Sequence, residues 1–96
     1  MKWYVYILEC QNKSLYTGVT DNVELRFKRH QTGQGGHYTS RIRPKRILYR
    51  EEFQTLSEAK IREQQIKRWS KSKKLALTKG DRLALIDLSK SRDLSQ

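Results

Sequence analysis

Trp3-Tyr4-Val5-Tyr6-Ile7-Leu8, the polar break Gln11-Asn12-Lys13, and Leu15-Tyr16-Thr17-Gly18-Val19 decide the fold of this chain. Aromatic and β-branched residues fill both runs, and such side chains suit a pleated, partly buried surface. Alternation in the first run puts Trp3, Val5 and Ile7 on one face and Tyr4, Tyr6 and Leu8 on the other. Neither set is polar, so both faces are expected to be covered. The short break predicts an antiparallel hairpin whose second strand covers Ser14 to Val19. There Tyr16 and Gly18 share a face, opposite Leu15, Thr17 and Val19. A glycine inside a strand weakens it and is tolerated where something must come close to the backbone, so Gly18 is a candidate for such an approach.

Beyond the hairpin the period changes. Asp21 and Glu24 are spaced as a capping box, and Val23, Phe27 and His30 form the inward stripe of the helix that follows. Arg26 precedes His30 by four residues and stacks on its side. Gln31 to Pro44 is a polar loop with Gly33, Gly35 and Gly36, and loops of this length are commonly functional. Ile47 to Phe53 reads as a third strand. Thr55 and Glu58 make a second capping box for a helix running to about Trp69, with Leu56, Ala59 and Ile66 apolar and Glu63 in mid-stripe. Ser70 to Leu88 is expected to break at Gly80-Asp81 into two short helices, and Ser89 to Gln96 is a polar tail expected to fray. The reading is one α+β domain over residues 1–88: a three-stranded antiparallel sheet flanked by helices, with short C-terminal helices.

Ninety-six residues suffice for one modest core. Lysine and arginine number 21 against 10 acidic residues, a net charge of +11. That surplus calls for a polyanion, with nucleic acid the first candidate. A membrane partner is not expected, because no apolar run approaches the ~20 residues of a bilayer span and no broad-faced basic amphipathic helix is evident. Cys10 stands alone, which excludes an intramolecular disulfide and a thiolate zinc site and fits a reducing compartment. Met1-Lys2-Trp3 leads directly into a strand without a small-residue cleavage site, so no signal peptide is expected and the location is read as cytoplasmic. A monomer is expected. Lys13, Arg41, Arg43, Lys67, Arg68 and Lys71 are the cations nominated for nucleic-acid contact, with His37 in the glycine-containing loop. Trp69 among cations could stack on an unpaired base.

The chemistry-bearing residues are few. Glu63 on an apolar stripe costs several kcal/mol to bury unpaired, so it must be ion-paired, protonated or bound to a metal. Arg62 and Arg26 are the candidate ion-pair partners. One carboxylate cannot cage a metal, but it is enough for a magnesium ion that keeps most of its waters and touches a substrate phosphate. Tyr6 and Tyr16 have the sheet parity to share a face with Gly18. A phenol is a poor base at its usual pKa of about 10 unless a nearby cation or metal-bound water stabilises the phenolate, for which Arg26, Lys13 and the metal are available. Arg26 could bond a phosphate oxygen and His30 could relay a proton to or from a tyrosine hydroxyl.

In this order Tyr4-Val5-Tyr6, Tyr16-Thr17-Gly18, Arg26, His30 and Glu63 resemble the GIY-YIG nuclease superfamily, most of all its small stand-alone bacterial proteins related to the nuclease domain of the repair excinuclease. Tyr4 stands in place of the first glycine and Thr17 in place of the isoleucine; the tyrosines and the last glycine match. Thr20 to His30 is similar to the helix with the catalytic arginine, and Ala59 to Lys67 to the helix with the metal-binding glutamate. The resemblance implies catalytic roles for Tyr6, Tyr16, Arg26, His30 and Glu63, one Mg²⁺ or Mn²⁺ on Glu63, and hydrolysis of a phosphodiester in nucleic acid, with DNA favoured over RNA and a role in repair or recombination. Either tyrosine could be the base. About thirty residues follow Glu63, read as short helix and not as an attached recognition domain, so either a targeting protein partner supplies substrate choice, or the enzyme is relatively indiscriminate, or catalysis has faded. The alternative is a non-catalytic nucleic-acid-binding or repair-scaffold protein on the same fold.

Overall fold

The hairpin forms with the predicted alternation in a computed structural model that describes residues 1–32 and 42–80. Strand β1 (Trp3–Cys10) pairs antiparallel with β2 (Leu15–Thr20), Tyr6 facing Gly18 and Leu8 facing Tyr16 across the ladder. In the connection Lys13 takes a positive φ of 70°, and its N–H donates to the Cys10 carbonyl at 2.9 Å. Asn12 Oδ1 accepts from the Ser14 N–H at 3.0 Å and from its hydroxyl at 2.6 Å, which fixes the turn.

Strand β3 (Pro44–Phe53) pairs antiparallel on the other side of β1, giving the order β2-β1-β3. It starts at Pro44, three residues before the expected Ile47. Proline is tolerated at the first position of an edge strand, and Lys45 and Arg46 point to solvent, where Arg46 pairs with Glu9 at 2.7 Å. Hydrophobic alternation therefore does not reveal this end of the strand.

Helix α1 (Val23–Gln31) is capped by Asn22, whose Oδ1 accepts the Leu25 N–H at 3.1 Å. The expected Asp21–Glu24 box is thus corrected by one residue, and Glu24 instead pairs with Arg50 across to β3 at 2.6 Å. Helix α2 (Leu56–Lys67) has the predicted cap: Thr55 Oγ1 accepts from the Glu58 N–H at 3.2 Å and donates to Glu58 Oε1 at 2.9 Å. Helix α3 (Lys71–Thr78) is capped by Ser70 and is followed by Gly80 at φ 68°, a left-handed stop that suits glycine. The expected second C-terminal helix, the boundary at residue 88 and the tail 89–96 lie outside the described residues.

Central strand β1 is covered on both sides, as its two apolar faces demand. On one side Val5 and Ile7 pack with Ala59 and Ile66 of α2, with Leu15, Val19, Trp69 and Leu77 around them. On the other, Tyr6 and Leu8 pack with Val23 of α1, joined by Tyr16, Phe27 and Ile47. Each fully buried Val, Ile or Leu contributes roughly 1.5–3 kcal/mol by leaving water. No helix among the described residues is long and apolar enough to cross a membrane.

Candidate functional site

Tyr6 stands at the middle of the central strand, and its phenol lies across the neighbouring β2 backbone. A Cβ built on Gly18 would sit 2.5 Å from Tyr6 Oη and 2.7 Å from Cζ. Gly18 is therefore required for space, since any side chain there would take the volume the phenol fills. The strand-weakening glycine of the sequence marks this seat. The last turn of α1 delivers His30, fully buried, with Nε2 3.0 Å from Tyr6 Oη. Tyr16 completes the group, its ring edge-on to His30 at 4.9 Å between centroids and 6.2 Å from the Tyr6 ring. Tyr6 is 1% exposed, whereas Tyr16 is only half-buried.

Burial sets the protonation states. It pushes the Tyr6 phenol far above the ordinary range, reinforced by Tyr16 and by the charge of Glu63 and opposed by Arg26. Burial first, and the Arg26 charge second, hold His30 below its usual 6.5. Removing water penalises the charged form of both groups. At neutral pH a neutral phenol thus faces a neutral imidazole, whose Nε2 can accept the phenolic proton.

Arg26 and Glu63 both act on Tyr6, although α1 and α2 cover opposite faces of the sheet. Strand β2 lies at one edge of the sheet, with no further strand beside it among the described residues. The structure packs Tyr6, Tyr16 and His30 together, and the charges of Arg26 and Glu63 are felt at Tyr6. Glu63 is 15% exposed in its side chain, and Lys67 lies one turn on with Nζ 3.4 Å from its carboxylate. Arg62, one of the suggested partners, is engaged by Glu51 at 3.1 Å and Gln65 at 2.6 Å. No group of three or more His, Cys, Asp or Glu side chains occurs among the described residues, so an ion caged wholly by protein does not fit. A hydrated hard cation does fit: the nearby donors are carboxylate, phenol and hydroxyl oxygens, and a cationic ammonium already sits beside Glu63.

The residues nominated for nucleic-acid contact are spread over several elements: Lys67 lies beside Glu63, whereas Arg43 precedes β3 at the opposite edge of the sheet. Lys13, Arg43, Lys67, Arg68 and Lys71 are exposed; His37 and Arg41 lie outside the described residues. Trp69 is half-buried against the α2-side core, with Lys73 Nζ 4.1 Å and Arg62 Cζ 5.1 Å from its ring centroid. Its ring also lines an open groove with Ile61, Gln64, Gln65 and Arg68. Two residues at the β2 edge escape the sequence reading. Thr17 is buried with a hydroxyl that lacks a hydrogen-bond partner, and Lys74 lines the same cleft. Lys74 is one of several lysines in a run, and nothing in the sequence separates it from the others; the signal for Thr17 is a polar residue on the core-facing side of β2.

Comparison with known proteins agrees with this arrangement. A family model described as the GIY-YIG catalytic domain matches residues 2–76. A UPF0213 protein of Staphylococcus saprophyticus and another of Staphylococcus haemolyticus are each 47% identical over 76 residues, covering 79% of this chain and 93% of theirs. Among solved structures, the solution NMR structure of a UPF0213 protein from Bacillus halodurans is similar with a TM-score of 0.53 at 38% identity, covering 84% of this chain and 86% of that one.

Proposed function

The chain belongs to the GIY-YIG catalytic-domain family, in its small stand-alone UPF0213 branch, and from that premise we propose that it is a metal-dependent endonuclease that hydrolyses a phosphodiester of nucleic acid, DNA in preference to RNA, in repair or recombination. The observation that carries the proposal is the convergence on one buried phenol. Tyr6 has an acceptor imidazole at 3.0 Å and is influenced at once by Tyr16, Arg26 and Glu63. The charge surplus of +11 suits a polyanionic substrate.

The burial difference between the tyrosines suggests how they divide the work. Tyr6 is sealed from solvent and cannot meet the attacking water, whereas Tyr16 is half-buried with its ring centroid 6.2 Å from that of Tyr6. Tyr16 takes the proton of the water at its hydroxyl, passes its own to Tyr6 Oη, and Tyr6 releases its proton to His30 Nε2. Each phenol is neutral before and after, so no phenolate has to persist in the buried site; the positive charge ends on His30. Arg26 donates charge-assisted hydrogen bonds to an oxygen of the phosphoryl group as charge builds there. Glu63 would hold one Mg²⁺ or Mn²⁺, which when bound supplies Lewis acidity to the phosphoryl and leaving oxygens. Binding without catalysis is the reading that an arginine locked to Glu63 would have favoured, and the neighbour found is the half-exposed Lys67.

The test is cleavage of labelled branched, flapped and single-stranded oligonucleotides at low salt, wild type beside Glu63→Ala. We expect cutting that requires Mg²⁺ or Mn²⁺ and disappears in the variant while binding persists. Tight binding without cutting across the panel would overturn the assignment.

A further inference from the structure

Beside the tyrosine pair, the β2 edge opens into a cleft of about 310 Å³ lined by Leu15, Tyr16, Thr17, Lys67 and Lys74. Among the described residues its two cations come from different helices, Lys67 from the end of α2 and Lys74 from α3, and none of the lining residues is acidic. Lys67 also borders Glu63 at 3.4 Å, so the cleft begins one side chain from the carboxylate. Lys74 is held below the ordinary lysine range, by burial chiefly and by the like charge of Lys67. Burial and a neighbouring like charge both disfavour the charged form of Lys74, and an anion in the cleft would offset them; Lys67 already has the Glu63 carboxylate beside it. Thr17 adds an independent sign: it is 4% exposed and its hydroxyl lacks a hydrogen-bond partner. Buried hydroxyls are normally satisfied, and the exceptions mark sites completed by something else.

We propose that this cleft is an anion subsite in which Lys67 and Lys74 hold a second, non-scissile phosphate of the strand being cut. The inference deepens the nuclease reading and rests on it for the identity of the strand; the anion site itself stands on the lysine pair and Thr17. A phosphate held here would set the direction in which the strand runs across Tyr16. It would also draw Lys67 away from Glu63 as the substrate arrives, leaving the carboxylate open to a cation.

The test separates the two readings by measuring binding without turnover. Affinity of Glu63→Ala for a single-stranded oligonucleotide lacking terminal phosphates is followed against salt, with and without Lys74→Gln. The lysine-deficient protein should bind more weakly whatever the base sequence, and its log–log salt slope should be shallower by about 0.7, one single-strand phosphate. Lys74→Arg should restore the slope, which a merely structural role for Lys74 would not predict. Amide shifts at Leu15–Thr17 and Lys74 on adding the oligonucleotide should vanish when one phosphate is replaced by a neutral methylphosphonate. An unchanged slope in Lys74→Gln overturns the subsite even if the wild type cuts. Saturation by inorganic phosphate with no response to the unphosphorylated oligonucleotide overturns it too, assigning the cleft to a free or terminal phosphate. Failure to cut any substrate, with the slope changed as expected, sinks the nuclease reading alone.

Discussion

Gly18→Ala offers a direct test of how the site is built. The added methyl would meet Tyr6 Oη at 2.5 Å and Cζ at 2.7 Å, where ordinary contact begins near 3.4 Å. The overlap approaches an ångström and falls on a ring that is 1% exposed and bonded to His30 at 3.0 Å. If the ring stays, the overpacking costs about 1–3 kcal/mol. If it swings away, His30 Nε2 is left buried without the phenol, which costs about 1–3 kcal/mol. Either route costs about 2 kcal/mol, and for a domain of this size each kcal/mol lowers Tm by roughly 4–8 °C. We expect a fall of roughly 8–16 °C by circular dichroism, and a loss of cleavage of about 10²-fold or more at a temperature where the variant is folded. Gly80→Ala is the control. Its φ of 68° carries strain of roughly 1–2 kcal/mol, yet among the described residues nothing lies within 4 Å of the new methyl, so cleavage should be unaffected. A Gly18→Ala protein that melts within about 1 °C of wild type and cuts normally would refute the placement of Tyr6 over Gly18.

The low pKa of His30 gives a pH signature: between its folded value and the ordinary 6.5 the unfolded chain binds the extra proton. Stability is therefore complete above about pH 6.5 and falls as pH drops through that window, a slope in Tm from pH 7 to 5 that His30→Gln should flatten. Tyr6→Phe and Tyr16→Phe should each reduce cleavage by about 10²–10⁴-fold, but only Tyr6→Phe should also lower Tm appreciably, because it strips the buried His30 of its 3.0 Å partner. Thr55→Ala removes the α2 cap and should cost about 1 kcal/mol in chemical denaturation, with cleavage per folded molecule retained.

Much of this is legible in the sequence because it depends on period. Alternation alone separates Val5 and Ile7 from Tyr6 and Leu8, and the two core clusters divide along that line. Helical spacing places His30 and Glu63 inward, and an inward polar group needs a partner, which makes it conspicuous. What period cannot express stays hidden. Two side chains compete for one cap, and Asn22 rather than Asp21 holds it because it sits three residues before the Leu25 N–H it bonds. Edge-strand residues such as Lys45 and Arg46 read as loop because their side chains face water. The contact of Lys73 with Trp69 depends on how α3 returns against α2, a tertiary outcome that leaves no pattern in Lys71 to Lys74. Lys73, buried over the Trp69 ring, and Lys74, lining the cleft, are neighbours in sequence with different fates.

Central strand β1 hands its odd-numbered side chains to one half of the core and its even-numbered ones, Tyr6 among them, to the other. Sliding β1 by a single residue would exchange the two sets at once, putting Val5 or Ile7 where the phenol belongs. Competence for chemistry and correct strand alignment are thus one event on the folding pathway. During renaturation, recovery of activity should lag the return of helical signal and coincide with the last tertiary packing step.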